Sequence, residues 1–284
     1  MTLTLDAVRV GSLKVGPTAV TAEARWLMAY AAALGETDAR YYDTTAPAGP
    51  VAHPLFSVCY EWPLAQTLRA KAMDAEVAHR SVHAFHNLVI HRPPQAGERL
   101  RVSAKVSGVQ KVRAGTLVVT RFSATDRTGV AVTTTEYGSI YRGVELKGDE
   151  IAATPSVPAA TAPNGGVRWE ERVEIAPQTA HIYSECARIY NPIHTDAAVA
   201  RAAGLPAIIL HGTATLALAV SRIVARELGG DPGRVRGVAV RFSGMVRLPS
   251  HITVRGREAE AGGIAFDALG PDGGAVLSLG RLTR

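Results

Sequence analysis

From Gly212 onward, Thr213, Leu216, Ala217, Val220, Ile223 and Val224 recur at helical spacing, and apolar residues also fill the faces between them. A helix with so little polar surface belongs in an interior, so the rest of the chain has to surround it. Its first backbone N–H groups find no partner inside the helix and are available to an oxygen with developing negative charge. Upstream, Asn191-Pro192 signals a turn, because proline fixes its own φ and drives the residue before it out of the α region. His194 is therefore presented from a turn. Thr195-Asp196 can cap a short helix over residues 197–203 that closes at Gly204. A turn histidine upstream of a His211-Gly212 pair, at the mouth of a buried helix, outlines an active site.

Asn191-Pro192-Ile193-His194, followed by His211-Gly212, resembles the MaoC-like dehydratase, or (R)-specific enoyl-CoA hydratase, family. That family's motif is approximately Gly-Asp-x-Asn-Pro-Ile-His, with a later His-Gly opening the central helix. The resemblance implies a hot-dog fold and hydratase or dehydratase (lyase) chemistry on an enoyl or 3-hydroxyacyl thioester. It also implies that His194 works with an aspartate to activate water while the Gly212 N–H holds the thioester oxygen. No cofactor is implied beyond the coenzyme A or phosphopantetheine arm of the substrate. The chain departs from the motif at Ile189, which takes the aspartate's place, and at Arg188, where glycine or serine is usual. An isoleucine neither takes nor gives a proton. Either a one-base variant operates, such as double-bond migration or syn-elimination, or Glu185, Tyr183 or Tyr190 enters the site. The same isoleucine supports a non-catalytic acyl-thioester binding protein or a subunit that needs a partner. A thioesterase is the other alternative, and it would need a carboxylate near the helix start, where His-Gly-Thr-Ala-Thr offers none.

The 284 residues are enough for two domains with proper cores, and their apolar and charged fractions are those of a globular protein. No apolar run is long enough for a bilayer, and the amino terminus lacks a signal-peptide layout, so a cytoplasmic location is expected. Cys59 and Cys186 have no metal-ligand spacing and read as free thiols in a reducing compartment. The net charge of +6 suits an acyl-CoA or acyl-carrier-protein thioester and equally a well-mixed solvated surface. Without a basic block interleaved with aromatics, neither nucleic acid nor a membrane is an expected partner; a homodimer is left open.

In chain order, residues 1–20 read as an edge strand or lead-in, residues 21–34 as a helix capped by Thr21 or a neighbour, and residues 38–54 as a covering loop. A second helix spans residues 54–73, with a kink expected at Pro63. Strands follow over residues 85–91, 100–109, 116–124 and 130–141. A Pro-, Thr- and Ala-rich linker is expected over residues 147–166. A strand over residues 167–175, a helix over residues 179–187, the motif, the buried helix and strands over residues 235–242, 252–258, 264–268 and 276–282 then repeat the first half's order. The expectation is α+β, a tandem double hot-dog in which two antiparallel sheets each wrap a central helix. A degenerate first domain would cover residues 1–146, and a site-bearing second one residues 167–284.

Several polar residues also have simple structural readings. His211 can tie the helix start to a neighbouring loop, and Asn191 can hold the turn through its side chain. Glu185 suits a solvated helix face, and Tyr190 a pocket wall. His83, His86 and His91 recur along one strand without the carboxylates or cysteines that a metal centre would add. Arg241 and Arg247 can reach phosphates or stand in water. Glu36 occupies the first-half position equivalent to the missing aspartate, and no Asn-Pro-Ile-His follows it, so carboxylate and histidine are not expected to meet.

Overall fold

The computed structural model describes residues 2–153, 166–258 and 263–284, so most of the expected linker, residues 154–165, lies outside the described residues. The first half opens with β1 (Thr4–Asp6), α1 (Ala7–Gly11) and β2 (Lys14–Ala22), and α2 (Ala24–Ala33) follows. Thr21, expected as the cap of α2, lies within β2. The N-cap is Glu23, with no side-chain capping bond, and Gly35 leaves the helix at φ 71°. Residues 38–54 form the covering loop, which contains a single 3-10 turn at Ala39–Tyr41 that buries Tyr41. After it come α3 (Ser57–Ala72), with Pro63 inside it, α4 (Ala75–Ala78), β3 (Ser81–Ile90), β4 (Glu98–Val112), β5 (Gly115–Thr125), β6 (Ala131–Arg142) and β7 (Glu145–Lys147).

Residues 145–151 remain tied to this half. β7 pairs in parallel with β1, and Ile151 bridges to Val109. The second half is β8 (Val167–Ile175), α5 (Thr179–Ala187), a 3-10 turn at Pro192–His194, α6 (Ala197–Ala202), α7 (Gly212–Glu227), β9 (Gly237–Phe242), β10 (Ser250–Arg257), β11 (Gly263–Leu269) and β12 (Ala275–Thr283). Asp196 caps α6 by accepting from the Ala198 and Val199 N–H groups, as the sequence suggests.

The order of elements repeats, and the fold is a double hot-dog. Its two sheets are joined edge to edge. β3 and β9 pair antiparallel, with His86 opposite Val240 and Leu88 opposite Val238, so one sheet runs β2-β4-β5-β6-β3-β9-β12-β11-β10-β8. The inner face carries Leu88, Leu100, Phe122, Val238, Val254 and Phe266 against α3 and α7, whose apolar faces are buried in the same core. Burying the sheet's inner face and both long helices in one core is the main source of stability.

α2 and α5 are held together across the halves. The Trp26 Nε1–H donates to the Cys186 carbonyl at 3.0 Å, and the Tyr30 and Tyr183 hydroxyls meet at 3.3 Å. Among the described residues no helix is long and apolar enough to cross a membrane.

Candidate active site

The site begins where α5 ends. Arg188 closes that helix in the left-handed conformation, φ 57°, which explains why a glycine would be at home there. An arginine tolerates the position because its guanidinium lies 4.2 Å from the Trp26 ring and meets Glu23 at 3.1 Å. Arg188 thus faces α2 rather than the site. The turn swings Ile189 into the main core, where it is 4% exposed. Tyr190, next in line, points out at 55% exposure, while its carbonyl accepts a bond from Gln66. Tyr190 therefore walls no buried pocket, and Glu185 is exposed as well. Asn191 starts the 3-10 turn through its carbonyl, which accepts from the His194 N–H at 3.1 Å. It makes no side-chain capping bond, contrary to expectation.

His194 itself is buried at 8% exposure. One ring nitrogen, Nδ1, lies 2.8 Å from the Ile209 carbonyl oxygen. A carbonyl can only accept, so Nδ1 carries the hydrogen and Nε2 keeps its lone pair. Burial lowers the His194 pKa to about 4 against the smaller opposing pull of that bond, so near neutrality the ring is a neutral base. The Ile209 carbonyl is positioned by sheet-like pairing on both sides: Ile209 bridges to Arg247, and the Leu210 N–H donates to Val246.

The ring of His211 stacks on His194 at 3.7 Å between centroids, and its Nε2 lies 3.1 Å from the Ser184 hydroxyl on α5. Burial, with His194 beside it, holds the His211 pKa well below the ordinary value. Two neutral imidazoles thus form a stack, with His211 as the strut, in line with its structural reading. α7 starts immediately after it. The first intrahelical bond runs from the Thr215 N–H to the His211 carbonyl, so the N–H groups of Gly212, Thr213 and Ala214 have no partner within the helix. A Cβ on Gly212 would stand 3.2 Å from the Phe242 ring, so the missing side chain is what leaves room there. Tyr183 is fully buried, and its hydroxyl donates to Thr213 Oγ1 at 3.1 Å, with Tyr30 on its other side. Burial raises its pKa well above normal, which keeps it a neutral donor.

The structure therefore brings His194, His211, Tyr183 and Gly212 together and leaves Glu185, Arg188 and Tyr190 outside. Glu36 does not reach this cluster. Its Oε1 lies 3.8 Å from His53 Nε2, and the same nitrogen is 3.2 Å from the Ser221 hydroxyl. Burial lowers His53 to about 3 and raises Glu36, so neither group is set up as half of an ion pair. Of His83, His86 and His91, the first two lie side by side, 5.6 Å between ring centroids, and His91 does not join them. His83 stacks on Tyr137, His86 is fully buried, and the exposed His91 bonds Thr134. Ser184, Phe242 and the Ile209 carbonyl escaped the sequence reading. They arrive from other elements, and a backbone carbonyl has no residue signature.

Residues 158–265 match the MaoC like domain family, and residues 10–135 match the FAS1-like dehydratase domain region. The chain is 26% identical over 188 residues to "Enoyl-CoA hydratase ChsH3" of Mycobacterium tuberculosis, covering 66% of this chain and 64% of that one. It is 42% identical over 76 residues to "Fatty acid synthase subunit beta" of Aspergillus oryzae, covering 26% of this chain and 4% of the relative. Its fold matches a crystal structure of a MaoC-like dehydratase from Phytophthora capsici with a TM-score of 0.86, at 22% identity and over 98% and 97% of the two chains. The second half of this chain is thus similar to a MaoC like domain and the first to a FAS1-like dehydratase domain region, in a chain with the fold of a MaoC-like dehydratase.

Proposed function

We propose that the chain is a lyase that hydrates an enoyl thioester, or dehydrates the 3-hydroxyacyl thioester, with His194 as its single acid/base group. The observation that carries this reading is the bond from His194 Nδ1–H to the Ile209 carbonyl, which leaves Nε2 as a fixed lone pair close to the open N-terminus of α7. A thioester oxygen at the Gly212 N–H would be polarised by a donor already in place, so charge developing on it is met without reorganisation. Water held at Nε2 gives that nitrogen a proton as its oxygen bonds to Cβ of the double bond. The enolate then takes the same proton at Cα. Water is gained overall, both new bonds form on one face, and no carboxylate is needed. Dehydration is the same path reversed.

Ile189 favours this one-base route over a two-group mechanism, since it is packed in the core and supplies no acid. A thioesterase is less well supported, because among the described residues no carboxylate is hydrogen-bonded to His194 or His211. Coenzyme A and a carrier-protein phosphopantetheine arm both fit as the thioester's carrier. The test is incubation with crotonyl-CoA and with 3-hydroxybutyryl-CoA, read by mass spectrometry. Gain or loss of water that falls at least about a hundredfold in His194→Ala supports the reading. Release of free coenzyme A, or water exchange indifferent to His194→Ala, refutes it.

A further inference from the structure

A small cavity of about 20 Å³ lies in the first half, between the end of α3 and strands β5 and β6. The register of the two strands builds one wall. Thr120 stands opposite Tyr137 and Val118 opposite Ser139, so alternate residues of both strands share the face turned to α3. Elsewhere that face is largely apolar, but here it carries the hydroxyls of Thr120, Tyr137, Ser139 and Tyr141. Arg69 completes the wall from the last turn of α3, while Leu64, Ala65 and Leu68 of the same helix keep to the apolar core.

Every one of these polar groups can donate a hydrogen bond, and the guanidinium can do nothing else. Arg69 Nη2–H donates to the Tyr137 hydroxyl at 3.2 Å, and the guanidinium lies 5.2 Å from the Trp62 ring. Neither partner carries a net negative charge. Among the described residues no carboxylate pairs with Arg69, and Asp74 and Glu76, the acids that follow it in sequence, are exposed. Tyr141 does not serve as a phenolate, since burial raises its pKa against the opposing pull of Arg69. A covered cation that cannot lose its proton is normally matched by an anion. The half-charge at the end of α3 favours the arginine but fills none of its N–H directions.

Size and access narrow the class of ligand. The cavity has room for one particle of about a water's dimensions, too little for a phosphate or an acyl chain. Leu13, Arg69, Met73 and Thr120 on its wall are partly exposed, so the space is reached from solvent without crossing the core. We propose that this cavity is a binding site for a monoatomic anion, chloride, held by the Arg69 guanidinium and the Thr120, Ser139 and Tyr141 hydroxyls. The ion supplies the missing counter-charge and ties the end of α3 to β5 and β6. It is independent of the reaction at His194.

The test uses the halides themselves. Crystals grown without halide and soaked in sodium bromide are expected to show an anomalous peak in contact with the Arg69 guanidinium. In solution, the chloride NMR line width, followed as the full chain is titrated, is expected to report a saturable site. Its affinity falls by at least about tenfold in Arg69→Met, the size of one charge-assisted contact, and by less in Tyr141→Phe. Both variants are checked for native melting. If Arg69→Met does not fold, Ser139→Val takes its place, putting a methyl where the ion would sit, and is expected to lose the site. Water alone in the cavity of the bromide-soaked crystal, or line broadening that these variants leave unchanged, overturns the proposal. A bromide peak without variant-sensitive broadening in solution means an adventitious ion only, and overturns it as well.

Discussion

Acidification from about pH 7 to about pH 5 is expected to weaken the fold through its buried histidines. Burial lowers His53 to about 3 and both His86 and His194 to about 4. Near pH 5 all three are neutral in the folded chain. In the unfolded chain, with the ordinary value of about 6.5, most are protonated. The unfolded state then binds more protons, so the stability held above about pH 6.5 is lost as pH falls. Each histidine loses roughly 1.5 pH units at about 1.36 kcal/mol per unit, so about 2 kcal/mol by pH 5, and roughly 5 to 6 kcal/mol for the three. His83 and His211, held low by the same burial, act in the same direction.

Glu61 works against them. Burial raises it to about 7 despite its bond from Thr135, so in this window the folded state takes up the proton and regains about 2 kcal/mol. Glu36, also raised by burial, adds in that sense. The net loss, roughly 3 kcal/mol, is a large part of the 5 to 15 kcal/mol typical of a folded protein. Urea unfolding at the two pH values measures it directly. His86→Leu should remove about 2 kcal/mol of the difference. A midpoint unchanged across the window would refute the claim that these rings are buried and neutral.

Two further perturbations address the site. Gly212→Ala puts a Cβ 3.2 Å from the Phe242 ring at the helix mouth, so kcat/KM should fall by about tenfold or more while the melting temperature moves only a few degrees. Equal turnover in wild type and variant would remove Gly212 from the site. Ile189→Asp exchanges a core side chain for a carboxyl with nothing apolar to offer, and denaturant titration should record a loss of about 3 to 5 kcal/mol. An unchanged midpoint would mean that water reaches this position.

What was legible beforehand was local. α7 could be read from unbroken apolar spacing, the turn at His194 from Pro192, and the α6 cap from Asp196, because each is set by neighbours within about one helical turn. β8 and α5 fall on the expected residues 167–175 and 179–187. Even the family resemblance rests on two short runs, 191–194 and 211–212, whose backbone shape is dictated from within.

The rest was decided by contacts between residues far apart in the chain. No local pattern announces that the two sheets share the β3–β9 edge, that Trp26 braces Arg188 across the halves, or that Glu36 spends its carboxyl beside His53. The chemistry of His194 shows the division well. Its place in a turn follows from Asn191-Pro192, but which nitrogen holds the proton depends on the Ile209 carbonyl, fifteen residues on and oriented by Val246 and Arg247. Side-chain identity and local spacing determine which elements form. Burial and hydrogen-bond direction, which exist only once those elements pack, determine what the residues on them can do.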